Sequence, residues 1–189
     1  MRLFILLFLL SFCQYFYADN VEDWGLPVLY IYTINGEEQT CEYVEAPPGG
    51  VSHSIRNATK VPGQVVLIDK KDTLFDSKEY VKDESGMTIK IRGNSTPYFD
   101  KKPYKIKLQK KGDMLCRGDS KFNDKNWLLI KDGDESINAF IGFKTDELFK
   151  LQWTPCYKYV NVVFNGDYRG VYMLIEAVER NSKCRLNYY

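Results

Sequence analysis

The sequence predicts an α+β fold, a mostly antiparallel sheet with one main helix packed on it. Three observations carry that expectation. Asn165-Gly166 separates two runs rich in Tyr and Val, the strongest short-range hairpin signal. Met87 to Arg92 and Tyr104 to Leu108 alternate apolar and polar residues, the period of half-buried strands. One segment has helical spacing, with Ile137, Phe140, Ile141, Leu148 and Leu151 on a single face.

In chain order, Met1-Arg2 followed by the apolar run Leu3 to Phe12 and small Ala18 reads as a secretory signal over residues 1–18. Residues 19–86 form a lead-in β segment. Leu26 to Ile34 is a strand closed by the turn pair Asn35-Gly36. Cys41 to Lys60 is irregular around Pro47-Pro48-Gly49-Gly50. Gln64 to Ile68 is a strand, and Thr73 to Val81 is its hairpin partner. Met87 to Arg92, Tyr104 to Leu108 and Trp127 to Ile130 follow. The helix starts near Asp132 or Asp134, either of which suits an N-cap. Tyr157 to Phe164 and Tyr168 to Glu176 make the last hairpin, and Gly170 inside its second strand predicts a bulge or a close backbone contact.

Composition narrows the function classes. The 189 residues carry 26 basic and 25 acidic side chains, so no net field gathers a polyanion and nucleic acid is not an expected partner. After the leader, no run is apolar for long enough to span a bilayer. A secreted, periplasmic or cell-surface location follows from the leader. Export permits disulfides among Cys41, Cys116, Cys156 and Cys184, and four cysteines leave three pairings open. No Cys-x-x-Cys pair suggests zinc, and no metal ligands are assigned. His53 is the lone histidine, and no Gly-x-Ser-x-Gly elbow or phosphate-loop motif accompanies it. Asp132 to Ser136 opens like a calcium loop, but Ile137 and Phe143 stand where Gly and Glu are needed. Arg117-Gly118-Asp119 spells an integrin-type tripeptide that requires a projecting loop. Asn57-Ala58-Thr59 and Asn94-Ser95-Thr96 are glycosylation sequons.

One constellation stands out. Ile91-Arg92-Gly93-Asn94-Ser95-Thr96 leads through a turn to Lys101-Lys102-Pro103-Tyr104-Lys105-Ile106-Lys107-Leu108. Backbone amides and small polar side chains at such a turn hold anions, and basic neighbours add charge. Arg92, Asn94, Ser95, Thr96, Lys102, Lys105 and Lys107 are the candidate anion-contacting residues. The alternative is a hairpin whose exposed face happens to be basic.

These two stretches resemble the opening signature of the CotH (spore coat protein H) kinase family. The likeness continues in order through Lys125-Asn126-Trp127-Leu128-Leu129, a helix over Ser136 to Leu151, and the hairpin Asn165-Gly166-Asp167-Tyr168-Arg169-Gly170-Val171-Tyr172-Met173-Leu174-Ile175-Glu176. Pro97 stands where the family usually has Trp, and Ile137 where its helix commonly has Arg. The resemblance implies that residues 87–189 form the N-terminal lobe of an atypical protein-kinase-like fold. It also implies ATP and a divalent metal as cofactors of full-length members, and Ser or Thr of exported proteins as substrate. Family catalytic and metal-binding aspartates are expected beyond Tyr189, so no catalytic residue is assigned and the expectation is a chain truncated before its catalytic half. The rival expectations are a non-catalytic surface or adhesion module that binds a partner through an aromatic sheet face, and a gene fragment.

Overall fold

A computed structural model describes residues 21–50, 53–94, 96–131, 141–142, 144–146, 148–149 and 155–177. The proposed leader 1–18, Ser95, Cys184 and the start of the expected helix lie outside the described residues. Ten strands are present: β1 (Val28–Thr33), β2 (Glu42–Val44), β3 (Ser54–Arg56), β4 (Val61–Asp69), β5 (Asp72–Asp76), β6 (Met87–Ile91), β7 (Tyr104–Gly112), β8 (Asp124–Lys131), β9 (Tyr157–Phe164) and β10 (Asp167–Glu176). The expected strands are present among the described residues, except that the one read as Thr73 to Val81 stops at Asp76, and the stretch Cys41 to Lys60, read as irregular, contains the short pair β2 and β3.

Their assembly corrects the α+β expectation. The main sheet runs β1-β9-β10-β8-β7-β6-β4-β5, and β1 also pairs with β4. That extra pairing closes seven strands into a barrel, with β5 continuing along β4 past the end of β6. Closure satisfies edge amides that an open sheet would leave unpaired. The seam joins Thr33 to Gly63 and Val28 to Ile68, while on its other side β1 runs parallel to β9, from Val28 opposite Asn161 to Ile31 opposite Phe164. A side chain at Gly63 would strike the Tyr32 carbonyl oxygen, 2.2 Å from where its Cβ would sit, so the bare backbone lets β1 and β4 approach.

Alternate residues of each strand fill the barrel. Leu29, Ile31, Val65, Leu67, Ile89, Ile106, Trp127, Leu129, Val162 and Leu174 all belong to one buried cluster. Lys105 and Lys107 fall on the opposite face of β7 from Ile106, with Lys90 directly across from Lys105 on β6. The expected main helix is not part of this packing. The described residues between 141 and 149 are helical, but Ile141, Leu148 and Phe149 are exposed. Of the expected apolar stripe, Ile141 and Leu148 are among the described residues, and both are exposed rather than packed on the sheet. Likewise Cys41, Cys116 and Cys156 are free thiols rather than disulfide partners.

Candidate functional site

One end of the barrel carries the polar chemistry. Ile91 ends β6 opposite Tyr104 at the start of β7, and Tyr172 of β10 lies at the same end. Ring contacts join them: Tyr104 lies 5.9 Å from Phe164 and 6.2 Å from Tyr172. Over this floor sits a pocket of about 570 Å³ whose walls come from three places: Glu38 to Cys41 and Tyr43, Asp100 to Lys102, and Arg169.

Each wall is fixed by a local cause. The Asn165-Gly166 turn secures the first. Asn165 Oδ1 accepts from the Thr33 amide at 2.9 Å and its Nδ2 donates to Thr33 Oγ1 at 2.8 Å. Thr33 Oγ1 in turn donates to the Glu37 carbonyl at 2.7 Å, which launches the segment through Gln39. The second wall follows the turn Thr96–Tyr98. Lys102 Nζ donates to the carbonyls of Pro97 and Phe99, both at 2.8 Å, and Tyr43 Oη donates to Pro97 at 3.1 Å. The third wall depends on the β10 bulge, where the register shifts between Tyr168 and Gly170. Gly170 has φ +89°, and a Cβ there would lie 3.1 Å from Lys101 Nζ. The bulge thus makes room for Lys101, which donates to the Val171 carbonyl at 2.6 Å and stands 4.6 Å from the Tyr172 ring centre.

Three cationic groups, Lys101, Lys102 and Arg169, therefore face two acidic ones, Glu38 and Asp100, across the pocket. Arg169 donates to Glu38 Oε1 at 2.7 Å, yet its Nε is buried without a hydrogen-bond partner. Gln39 is 8% exposed, and neither atom of its amide has a partner. Burial raises the Tyr104 phenol above its ordinary value, with Arg169 opposing and Glu38 adding to the rise. Native proteins leave few buried polar groups unbonded, because each costs roughly 1–3 kcal/mol. Three such atoms, two of Gln39 and one of Arg169, belong to residues that line this pocket.

The candidate residues from the sequence divide around this site. Lys102 lines the pocket, although two of its donors are committed to backbone carbonyls. Arg92 lies beside it: its amide donates to Pro103 at 3.0 Å, and burial holds its guanidinium below the usual value, with no carboxylate at ion-pair distance among the described residues. Thr96 opens the turn below Tyr43, and Asn94 is exposed. Lys105 and Lys107 are not brought to the pocket, since the strand alternation sends them to the outer face of the barrel. Gln39 and Arg169 were missed. Arg169 had a signal in its position just before the anticipated bulge glycine; Gln39, in irregular chain, had none. Arg117 is no projecting integrin ligand, because Asp113 and Glu176 bind it in the interior.

The protein is thus a closed barrel with a pocket of mixed charge and aromatic residues at one mouth. A family model described as CotH kinase protein matches residues 89–187, and the chain belongs to that family. No curated protein matches the sequence.

Proposed function

We propose that this chain supplies the barrel of an exported CotH-family kinase that transfers phosphate from ATP to Ser or Thr of exported proteins. In this reading the mouth pocket receives the nucleotide's phosphates. The observation that supports it is the convergence of Lys101, Lys102 and Arg169 on one pocket beside the half-buried Arg92. Phosphoryl transfer requires positioned phosphates, a metal held by carboxylates, and a group that orients the attacking hydroxyl. The pocket answers the first requirement: Lys101 and Arg169 present positive charge where Tyr104 and Tyr172 close off water from below. The described residues do not fit the metal, for no group of three or more His, Cys, Asp or Glu stands close enough to hold one. In this reading the metal-holding carboxylates come from sequence outside the described residues.

Calorimetric titration with ATP and with tripolyphosphate tests the assignment. Wild type is expected to bind both, and Arg169→Met to weaken both by about tenfold, the size of one charge-assisted contact. Absence of binding by the wild type would remove the reading.

A second reading, a partner-binding surface module, draws on a different observation. Trp24 meets Tyr168 edge-on at 5.1 Å and Tyr30 stacks on Tyr32 at 6.2 Å, with Trp24, Tyr32 and Tyr168 all exposed on the outside of the barrel. In that case, substitution of Tyr32 and Tyr168 would abolish partner capture and leave phosphate binding intact.

A further inference from the structure

The pocket contains one feature that phosphate binding leaves unused. Gln39 carries a carbonyl acceptor and an amide donor side by side, both buried and both without a partner. A phosphate needs only donors, so it would satisfy the amide and leave the carbonyl oxygen orphaned. A ligand group that answers both atoms must itself present a donor beside an acceptor. Glutamine pairs in this two-pronged way with the edge of adenine, where an exocyclic amine adjoins a ring nitrogen.

We propose that Gln39 is the residue that reads the base of the nucleotide, accepting from its exocyclic amine and donating to the adjacent ring nitrogen. The inference rests on the nucleotide reading of this pocket and adds the specificity determinant to it. Three further observations support it. The pocket, at about 570 Å³, is large enough for more than a phosphate group. Tyr43 offers a half-exposed ring on the same wall system, a stacking surface for a base. Gln39 is also held in place before a ligand enters: beside it the Thr40 amide donates to Thr59 Oγ1 at 2.9 Å and the Thr40 carbonyl accepts from the Thr59 amide at 2.8 Å.

The test compares three probes on the protein: ATP, purine riboside triphosphate, which lacks the exocyclic amine, and inorganic tripolyphosphate. Two variants accompany the wild type. Gln39→Leu keeps the shape and deletes both polar atoms; Gln39→Glu keeps the shape and replaces the donor with a second acceptor. The wild type is expected to bind ATP at least tenfold more tightly than either other probe. Both variants should bind ATP and purine riboside triphosphate alike, with tripolyphosphate affinity in Gln39→Leu close to wild type. Without ligand, Gln39→Leu should also melt at least about 4 °C higher, because two unsatisfied buried groups are gone. Equal wild-type binding of ATP and tripolyphosphate, unchanged by either variant, would overturn the role of Gln39 and leave the phosphate site standing. A Gln39→Leu protein that melts lower and still prefers ATP would show the amide to be structural, and would also overturn it. Failure of all three probes to bind the wild type would remove the nucleotide reading, and this inference with it.

Discussion

Arg117 shows what a buried charge demands of its surroundings. Its guanidinium holds Asp113 through Nε and Nη2, the latter at 2.8 Å, and reaches Glu176, the last residue of β10, through Nη1. The Phe122 ring lies 4.1 Å beneath it. All three charged side chains are largely buried, so removing the cation breaks two buried ion pairs, although Asp113 keeps the Leu115 and Arg117 amides as donors. Arg117→Met is expected to cost about 3–5 kcal/mol in urea unfolding, the range for removing one partner of a buried ion pair. A loss near zero would mean that the carboxylates find solvent. Asp76 makes a milder case. Burial alone would raise its carboxyl, but hydrogen bonds from Lys78 and Gln64, at 2.7 and 2.8 Å, outweigh it and hold the group below its ordinary value. A carboxyl lowered in the fold binds fewer protons than its unfolded counterpart. Its contribution is therefore complete above the ordinary carboxylate range and is lost as pH falls through the lowered value. Between about pH 6 and pH 3, the wild-type urea midpoint should fall further than that of Asp76→Asn. Parallel loss in both would contradict the assignment. The Arg117–Glu176 pairing was not legible in the sequence, because the two stand 59 residues apart and only the fold joins them.

At the scale of the element, local chemistry was legible wherever it was self-contained. Asn165 and Gly166 both take positive φ, as their hairpin requires, and join β9 to β10 as the sequence indicated. What the pair does for β1, bonding Thr33 from 132 residues away, has no local signature. Gly170 divides in the same way. A glycine within a strand announced the bulge, but not that Lys101 occupies the space a side chain would take. Gly170→Ala combines a left-handed backbone with that contact. It should cost about 1–3 kcal/mol, read by thermal or urea unfolding, and weaken tripolyphosphate binding by displacing Lys101. Unchanged binding would separate the bulge from the site. The exposure of Ile141 and Leu148, the described residues of the expected stripe, shows where the helix reading misled: periodicity reports an amphipathic stripe and is silent on what covers it.

For the molecule as a whole, the fold lies in pairings between distant strands. The alternation of β6 and β7 fixed which residues face inward, and the inner cluster follows it from Met87 to Leu108. Nothing in β1 says that it pairs with β4 on one side and runs parallel to β9 on the other, yet those two contacts turn a sheet into a barrel. Closure also decides the site. It gathers the segment after β1, the β6–β7 connection and the β10 bulge at one mouth, and it carries Lys105 and Lys107 to the outside. The central proposal is therefore one of place: a bound nucleotide would sit at the mouth, not on the basic outer face of β7. Amide hydrogen exchange read by mass spectrometry, with and without saturating ATP, tests that claim most directly. Protection is expected in peptides covering 37–43, 96–104 and 167–172. Protection confined to 105–111, or none at saturating nucleotide, would contradict it.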